Sequence, residues 1–321
     1  MSSELARLLE RLWEREPQPH LALLFPGQGS QRLGMGRGLW ETSRAARLVL
    51  EEADQVLGWP LSRLMFHGPE EDLTHTANAQ PAILACSLAY LAAALDADIL
   101  KGRPVLLAGH SLGEYTALVA AGALDMASAL GLVRRRGELM AQASRERPGT
   151  MVAIMGLTPQ EVEEICRLTG AEPANYNAPQ QTVVGGPQEV VAAAARLARE
   201  RGGRAVPLAV SGAFHTSLMA SAAAGLAQAL AEAPIRDARI PVVGNACPWA
   251  LSSAAEIRQE LAIQLTTPVR WLESLQFMAS QGVDTFLEVG PGQVLAGLVK
   301  RTLPKATAQA LEAYFLTEVT G

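Results

Sequence analysis

Leu5, Leu8, Leu9 and Leu12 recur at helical spacing with charged residues between them. The pattern predicts a short amphipathic helix over residues 3–16. The run Leu21-Ala-Leu-Leu-Phe25 is continuously apolar and ends in Pro26-Gly27, which reads as a buried strand entering a tight turn. Residues 80–98, with Pro81 near their start, predict a largely buried helix. After the turn Lys101-Gly-Arg-Pro104, Val105-Leu-Leu-Ala108 predicts a second buried strand. Gly109-His-Ser-Leu-Gly113 and a helical stretch ending near Gly122 follow it. Successive strand–turn–helix units point to an α/β fold with a parallel sheet.

The middle of the chain has a different pattern. Met151-Val-Ala-Ile-Met155 predicts a strand, and Thr158-Pro-Gln-Glu161 carries a capping box that starts a helix running to about Leu168. Two short strands, Asn175-Tyr-Asn177 and Thr182-Val-Val184, an Ala-rich helix over 188–201 and a strand over 204–210 complete the order β-α-β-β-α-β. That is the ferredoxin-like pattern. It predicts an inserted small subdomain over residues 146–212, within a body made of residues 1–145 and 213–321. In the second part of the body the pattern predicts a helix over 217–232, a strand over 240–243, a helix around 254–264 and a strand over 285–289.

Composition narrows the function classes. Hydrophobic residues make up 49 % of the 321 and charged residues 18 %, which excludes a disordered chain. The net charge of −5 gives no general attraction to nucleic acid, so an acidic partner must meet a local basic patch. Cys86, Cys166 and Cys247 are scattered without paired spacing, which argues against a disulfide framework or zinc site and fits a reducing compartment. The start of the chain lacks an apolar signal run. Its most apolar stretch, 115–133, is broken by Gly122, Asp125 and Gly131, so the expectation is a cytoplasmic protein without a membrane span.

Gly109-His110-Ser111-Leu112-Gly113 matches the G-x-S-x-G nucleophile elbow, in which flanking glycines let the backbone crowd into a sharp turn that lifts the Ser hydroxyl out of the sheet. Taken alone the motif also fits a glycine-rich turn with an ordinary Ser; the strand before it and the helix after it favour the elbow. A Ser nucleophile needs a base. His20, His67 and His75 lie in polar or loop contexts, and His110 adjoins the Ser on a turn where neighbouring side chains diverge. His215 sits between a predicted strand and a predicted helix, where the helix dipole would keep its imidazole neutral. Between Ser111 and His215 no acid has a persuasive place as the residue that orients the base, so the orienting group is expected to be something other than a carboxylate.

In these residues and the motifs around them the chain resembles the malonyl-CoA:acyl carrier protein transacylases and the related acyltransferases of polyketide synthases. Phe25-Pro-Gly-Gln-Gly-Ser-Gln31, Ala79-Gln-Pro-Ala82, Gly109-His-Ser-Leu-Gly-Glu114, Leu132-Val-Arg-Arg-Arg-Gly137, Gly212-Ala-Phe-His215, Thr267-Pro-Val-Arg-Trp271 and Glu288-Val-Gly-Pro-Gly292 carry the likeness in order along the chain. The resemblance implies an α/β-hydrolase-like body with a parallel sheet plus the ferredoxin-like insert. It implies that Ser111 carries the acyl ester, that His215 is its base, and that the backbone carbonyl of Gln264 orients His215. The backbone N–H groups of Gln28 and Leu112 would form the oxyanion hole, and such donors are worth roughly a few kcal/mol each. Arg136 would pair with the free carboxylate of the substrate, while Arg134 and Arg135 read as a solvated helix face. Phe214 would fill the space an α-methyl group needs and so favour malonyl over methylmalonyl, a preference of about 1–3 kcal/mol.

The implied reaction moves a malonyl group from malonyl-CoA to the phosphopantetheine thiol of an acyl carrier protein, with no bound cofactor and no metal. The partners are then malonyl-CoA and the carrier protein, with neither nucleic acid nor membrane. Two alternatives stay open at this point: an acyl-thioester hydrolase using the same Ser and His, and a non-catalytic module that docks carrier proteins.

Overall fold

The computed structural model describes residues 3–317; residues 1–2 and 318–321, assigned above to the ends of the body, lie outside the described residues. The described strands are, in chain order, β1 (Pro17–Phe25), β2 (Arg103–Gly109), β3 (Thr150–Met155), β4 (Glu172–Ala178), β5 (Gln181–Gly186), β6 (Arg204–Pro207), β7 (Val242–Val243), β8 (Ala250–Leu251), β9 (Thr285–Glu288) and β10 (Thr307–Ala310). The larger sheet has the order β10-β9-β1-β2-β7-β8 and is parallel except for the antiparallel pair β7–β8. β1 lies at its centre. Leu21, Leu23 and Phe25 enter the core on one face and Ala22 and Leu24 that on the other, so the second half of the strand is apolar at every position.

The second sheet is antiparallel, in the order β4-β5-β3-β6, and the helices Pro159–Thr169 and Gln188–Glu200 pack on it. This is the spatial order of a split βαβ unit. The unit has its own core of residues such as Val152, Ile154, Val162, Ile165, Val184 and Val191. It is tied to the body through the Thr267–Trp271 motif: the Tyr176 N–H donates to the Val269 carbonyl at 2.8 Å, and the Val269 N–H to the Ala174 carbonyl at 2.9 Å.

Several boundaries differ from the sequence expectation. The core helix covers Thr76–Asp96 rather than 80–98, with Pro81 inside it. By length and composition this helix could cross a membrane, but 94 % of its most apolar window is buried within the protein. The stretch expected to be most apolar is two separate helices, Gly113–Ala120 and Met126–Glu146, the second capped by Asp125. The strand expected over 204–210 ends at Pro207, because the chain turns through a Val210 N–H to Leu208 carbonyl bond and leaves the sheet. The helix expected from residue 217 begins as a single tight turn, Ser217–Met219, and becomes α-helical at Ala220. The leading helix covers Glu4–Glu14 and buries all four leucines that marked it.

Candidate active site

The register of the central strands places the site. Phe25 pairs with Gly109, so β1 and β2 end abreast and release two turns side by side, Pro26-Gly-Gln28 and His110-Ser-Leu112. The turns pack backbone to backbone. A Cβ on Gly113 would lie 2.0 Å from the Phe25 carbonyl oxygen, and one on Gly109 would lie 1.9 Å from the Gly113 carbonyl. Only glycine fits at either place. Ser111, at the apex, has φ 52°, a left-handed conformation costly for a side-chain-bearing residue.

The structure brings Ser111, His215, Gln264 and Arg136 together. Ser111 Oγ is 2.7 Å from His215 Nε2. His215 Nδ1 is 2.9 Å from the backbone carbonyl oxygen of Gln264, which as an acceptor fixes the proton on Nδ1 and leaves Nε2 free to take one. His215, also left-handed with φ 60°, is 3 % exposed. Burial, and then the Arg136 charge, push its pKa down from 6.5 to about 3. The imidazole is therefore neutral, as expected, but the expected cause is replaced: the α-helix after it starts only at Ala220.

Arg136 lies on the helix Met126–Glu146, which approaches the start of the core helix closely at Gly137. A Cβ there would be 2.7 Å from the Thr76 carbonyl oxygen. The guanidinium is 1 % exposed and sits behind Ser111. Nη1 donates to Gln80 Oε1 at 2.9 Å, and Nη2 donates to Gln264 Oε1 at 2.9 Å and to Ser111 Oγ at 3.0 Å. These acceptors are all neutral, and Arg136 enters no ion pair among the described residues. Glu114 and the Tyr115 ring lie nearby, but no carboxylate among the described residues touches the guanidinium, and a buried cation with no directly paired anion favours one at its open side. Arg134 and Arg135, by contrast, share the half-buried Glu138.

Beside Ser111 opens a cavity of about 640 Å³ between the two sheets, lined by Gln28, Thr76, Met140, Met151, Asn175 and Phe214 among others. The backbone N–H groups of Gln28 and Leu112 have no acceptor among the described residues, while the Ser111 N–H is taken by Asn245. Gln28 is steadied by its side chain, which donates to Thr76 Oγ1 at 3.3 Å. His110 turns away from Ser111: its Nε2 is 2.8 Å from Asn177 Oδ1 and its ring meets the edge of Trp271. His75 lines the cavity, and His20 instead contacts the Gly282 carbonyl.

Sequence reasoning missed Gln80, Glu114 and Asn245. Glu114 is buried, receives a hydrogen bond from Gln264 Nε2 at 2.8 Å, and is held well above the usual carboxylate range by burial and by the nearby Glu260 charge. Gln80 and Glu114 stood inside the quoted motifs, so proximity to a motif was their only available signal.

Comparison with known proteins identifies the family. The acyl transferase domain family matches residues 22–315. A malonyl CoA-acyl carrier protein transacylase of Bacillus subtilis is 45 % identical over 287 residues, covering 88 % of this chain and 90 % of its own. Among solved structures, the malonyl-CoA:acyl carrier protein transacylase of Xanthomonas oryzae superposes with a TM-score of 0.89 at 42 % identity, covering 95 % of this chain and 98 % of that one. A malonyl-transacylase in complex with its type II polyketide acyl carrier protein gives 0.89 at 40 % identity, over 94 % and 99 %. The match reaches from within β1 to the last described helix, and this chain belongs to the acyl transferase domain family.

Proposed function

We propose that this chain transfers a malonyl group from malonyl-CoA, through an ester on Ser111, to the phosphopantetheine thiol of an acyl carrier protein in fatty-acid or polyketide synthesis. Ser111 Oγ attacks the thioester carbonyl while its proton passes to His215 Nε2. The Gln28 and Leu112 N–H groups receive the developing oxyanion. The C–S bond then breaks and His215 returns the proton to the leaving thiolate. In the second half the carrier thiol gives its proton to His215, attacks the ester, and Ser111 recovers the proton. The route uses only side chains and backbone of the chain, with no bound cofactor or metal. A cytoplasmic setting goes with it.

The observation that carries the malonyl assignment is Arg136, a buried cation whose terminal nitrogens meet only neutral acceptors directly behind Ser111. A malonyl carboxylate supplies the missing charge, and a neutral acyl chain leaves it unmatched. This speaks against a hydrolase of neutral chains. The paired Ser111 and His215 speak against a purely docking module. Phe214, on the cavity wall, favours malonyl over α-methylated extenders through its bulk.

The test is mass spectrometry of the intact protein after exposure to a mixture of malonyl-, methylmalonyl- and acetyl-CoA, with peptide mapping and a chase with carrier protein. A malonyl adduct on Ser111 that moves to the carrier supports the proposal. Dominant hydrolysis of acetyl or longer acyl carriers overturns it.

A further inference from the structure

Asn245 lies on the loop after β7 and grips the backbone of the nucleophile turn. Its Oδ1 accepts the Ser111 N–H at 2.6 Å, and its Nδ2 donates to the Gly109 carbonyl at 2.7 Å. The partners fix the amide orientation, because one is a donor and the other an acceptor. The residue is buried, and so is the anchor beneath it. Glu260, on the helix Ala254–Ile263, accepts the N–H groups of Asn245 and Ala246 on Oε1 at 2.9 and 2.7 Å, and that of Cys247 on Oε2 at 2.9 Å. The Arg270 N–H donates to the Asn245 carbonyl at 2.9 Å. The loop is held on both sides, and the one side chain it extends to the elbow spans the residues before and at the apex.

A left-handed Ser111 persists only where its surroundings hold it. We propose that Asn245 is a positioning residue: its amide locks the 109–111 backbone in the conformation that sets Ser111 Oγ against His215, and Glu260 holds the loop that carries it. By engaging the Ser111 N–H it also removes that group as a donor, which leaves the Leu112 and Gln28 N–H groups to the oxyanion. This rests on Ser111 being the acylated residue.

The test is rapid-quench malonylation by malonyl-CoA, read by intact mass, for the wild type, Asn245→Ala and Asn245→Asp. For Asn245→Ala the limiting acylation rate is expected to fall about 100-fold, as for an atomic misplacement of the reacting group. The half-saturating malonyl-CoA concentration should stay within about threefold, because Arg136 bonds to Gln80 and Gln264 and not to Asn245. For Asn245→Asp, the carboxylate repels the Gly109 carbonyl, whereas the protonated acid has both a donor and an acceptor. Its rate relative to wild type should therefore recover several-fold between pH 8 and pH 5, a range in which His215 stays neutral. A near-wild-type rate in Asn245→Ala, a loss confined to half-saturation, no relative recovery of Asn245→Asp at low pH, or variants unfolded by circular dichroism at assay temperature each overturn the proposal. A wild-type protein that forms no adduct on Ser111 overturns the acyl-enzyme reading itself, and this proposal with it.

Discussion

Arg136 Nη2 donates to Ser111 Oγ at 3.0 Å, so the reacting oxygen touches a buried cation as well as the imidazole of His215. Arg136→Ala should lower kcat/KM for malonyl-CoA by about 100-fold or more, in line with roughly 2–5 kcal/mol for one partner of a buried charge pair. Discrimination against acetyl-CoA should relax with it. Arg136→Lys should not restore it, since one ammonium cannot replace a two-nitrogen fork held by Gln80 and Gln264. Parallel kcat/KM measurements with both thioesters check this; unchanged selectivity removes Arg136 from the acyl pocket.

The His215 environment predicts an unusual acid limb. With a pKa lowered from 6.5 to about 3, the free enzyme keeps a neutral base through the mildly acidic range. The pH profile of kcat/KM should stay flat from pH 8 to pH 5, and a limb centred near 6.5 would contradict the burial argument. The stability sign follows from the same shift. Below 6.5 the unfolded chain binds a proton that folded His215 refuses until about pH 3, so this residue's contribution declines as pH falls through that window.

Gln264 acts through two separable parts. Its carbonyl faces His215, while its side chain joins Arg136, the Ser111 carbonyl and Glu114. Gln264→Ala keeps the carbonyl and should leave kcat within a few-fold. It should raise KM for malonyl-CoA by loosening Arg136, and lower stability by about 1–3 kcal/mol by stranding Glu114. Steady-state kinetics and chemical denaturation together separate the two parts; a collapse of kcat at constant KM would place the side chain in the chemistry instead.

Two glycines make opposite predictions. Gly131 is exposed inside the helix Met126–Glu146, with nothing within 4 Å of an added Cβ. Gly131→Ala should stabilise by about 0.5–1 kcal/mol. Gly113→Ala drives a methyl group into the Phe25 carbonyl at 2.0 Å and should destabilise by more than about 4 kcal/mol or prevent folding. Thermal denaturation of the two variants reads both.

Much of this was visible in the chain. Continuous apolar runs mark strands buried on both faces, and Leu21–Phe25 and Val105–Ala108 announced β1 and β2 in that way. The Thr158–Glu161 capping box appears as written, with Thr158 and Glu161 bonded in both directions. What stayed hidden are buried polar partners brought from afar. Asn245 meets Ser111 across 134 positions, and nothing local in Val-Gly-Asn-Ala-Cys indicates that its amide will face a turn on another strand. The start of the core helix was hidden for a different reason: Pro81 resembles a first-turn residue, while the helix begins five residues earlier at Thr76 and tolerates the ring inside.

The abreast ends of β1 and β2 have a bearing on biogenesis. During synthesis the hydroxyl emerges long before its imidazole at 215 and the carbonyl at 264 that aligns it. Without those two groups Ser111 keeps an ordinary, unactivated hydroxyl. Acylation competence therefore needs the chain through residue 264, and a fragment that stops short of it should not take an acyl group from a thioester.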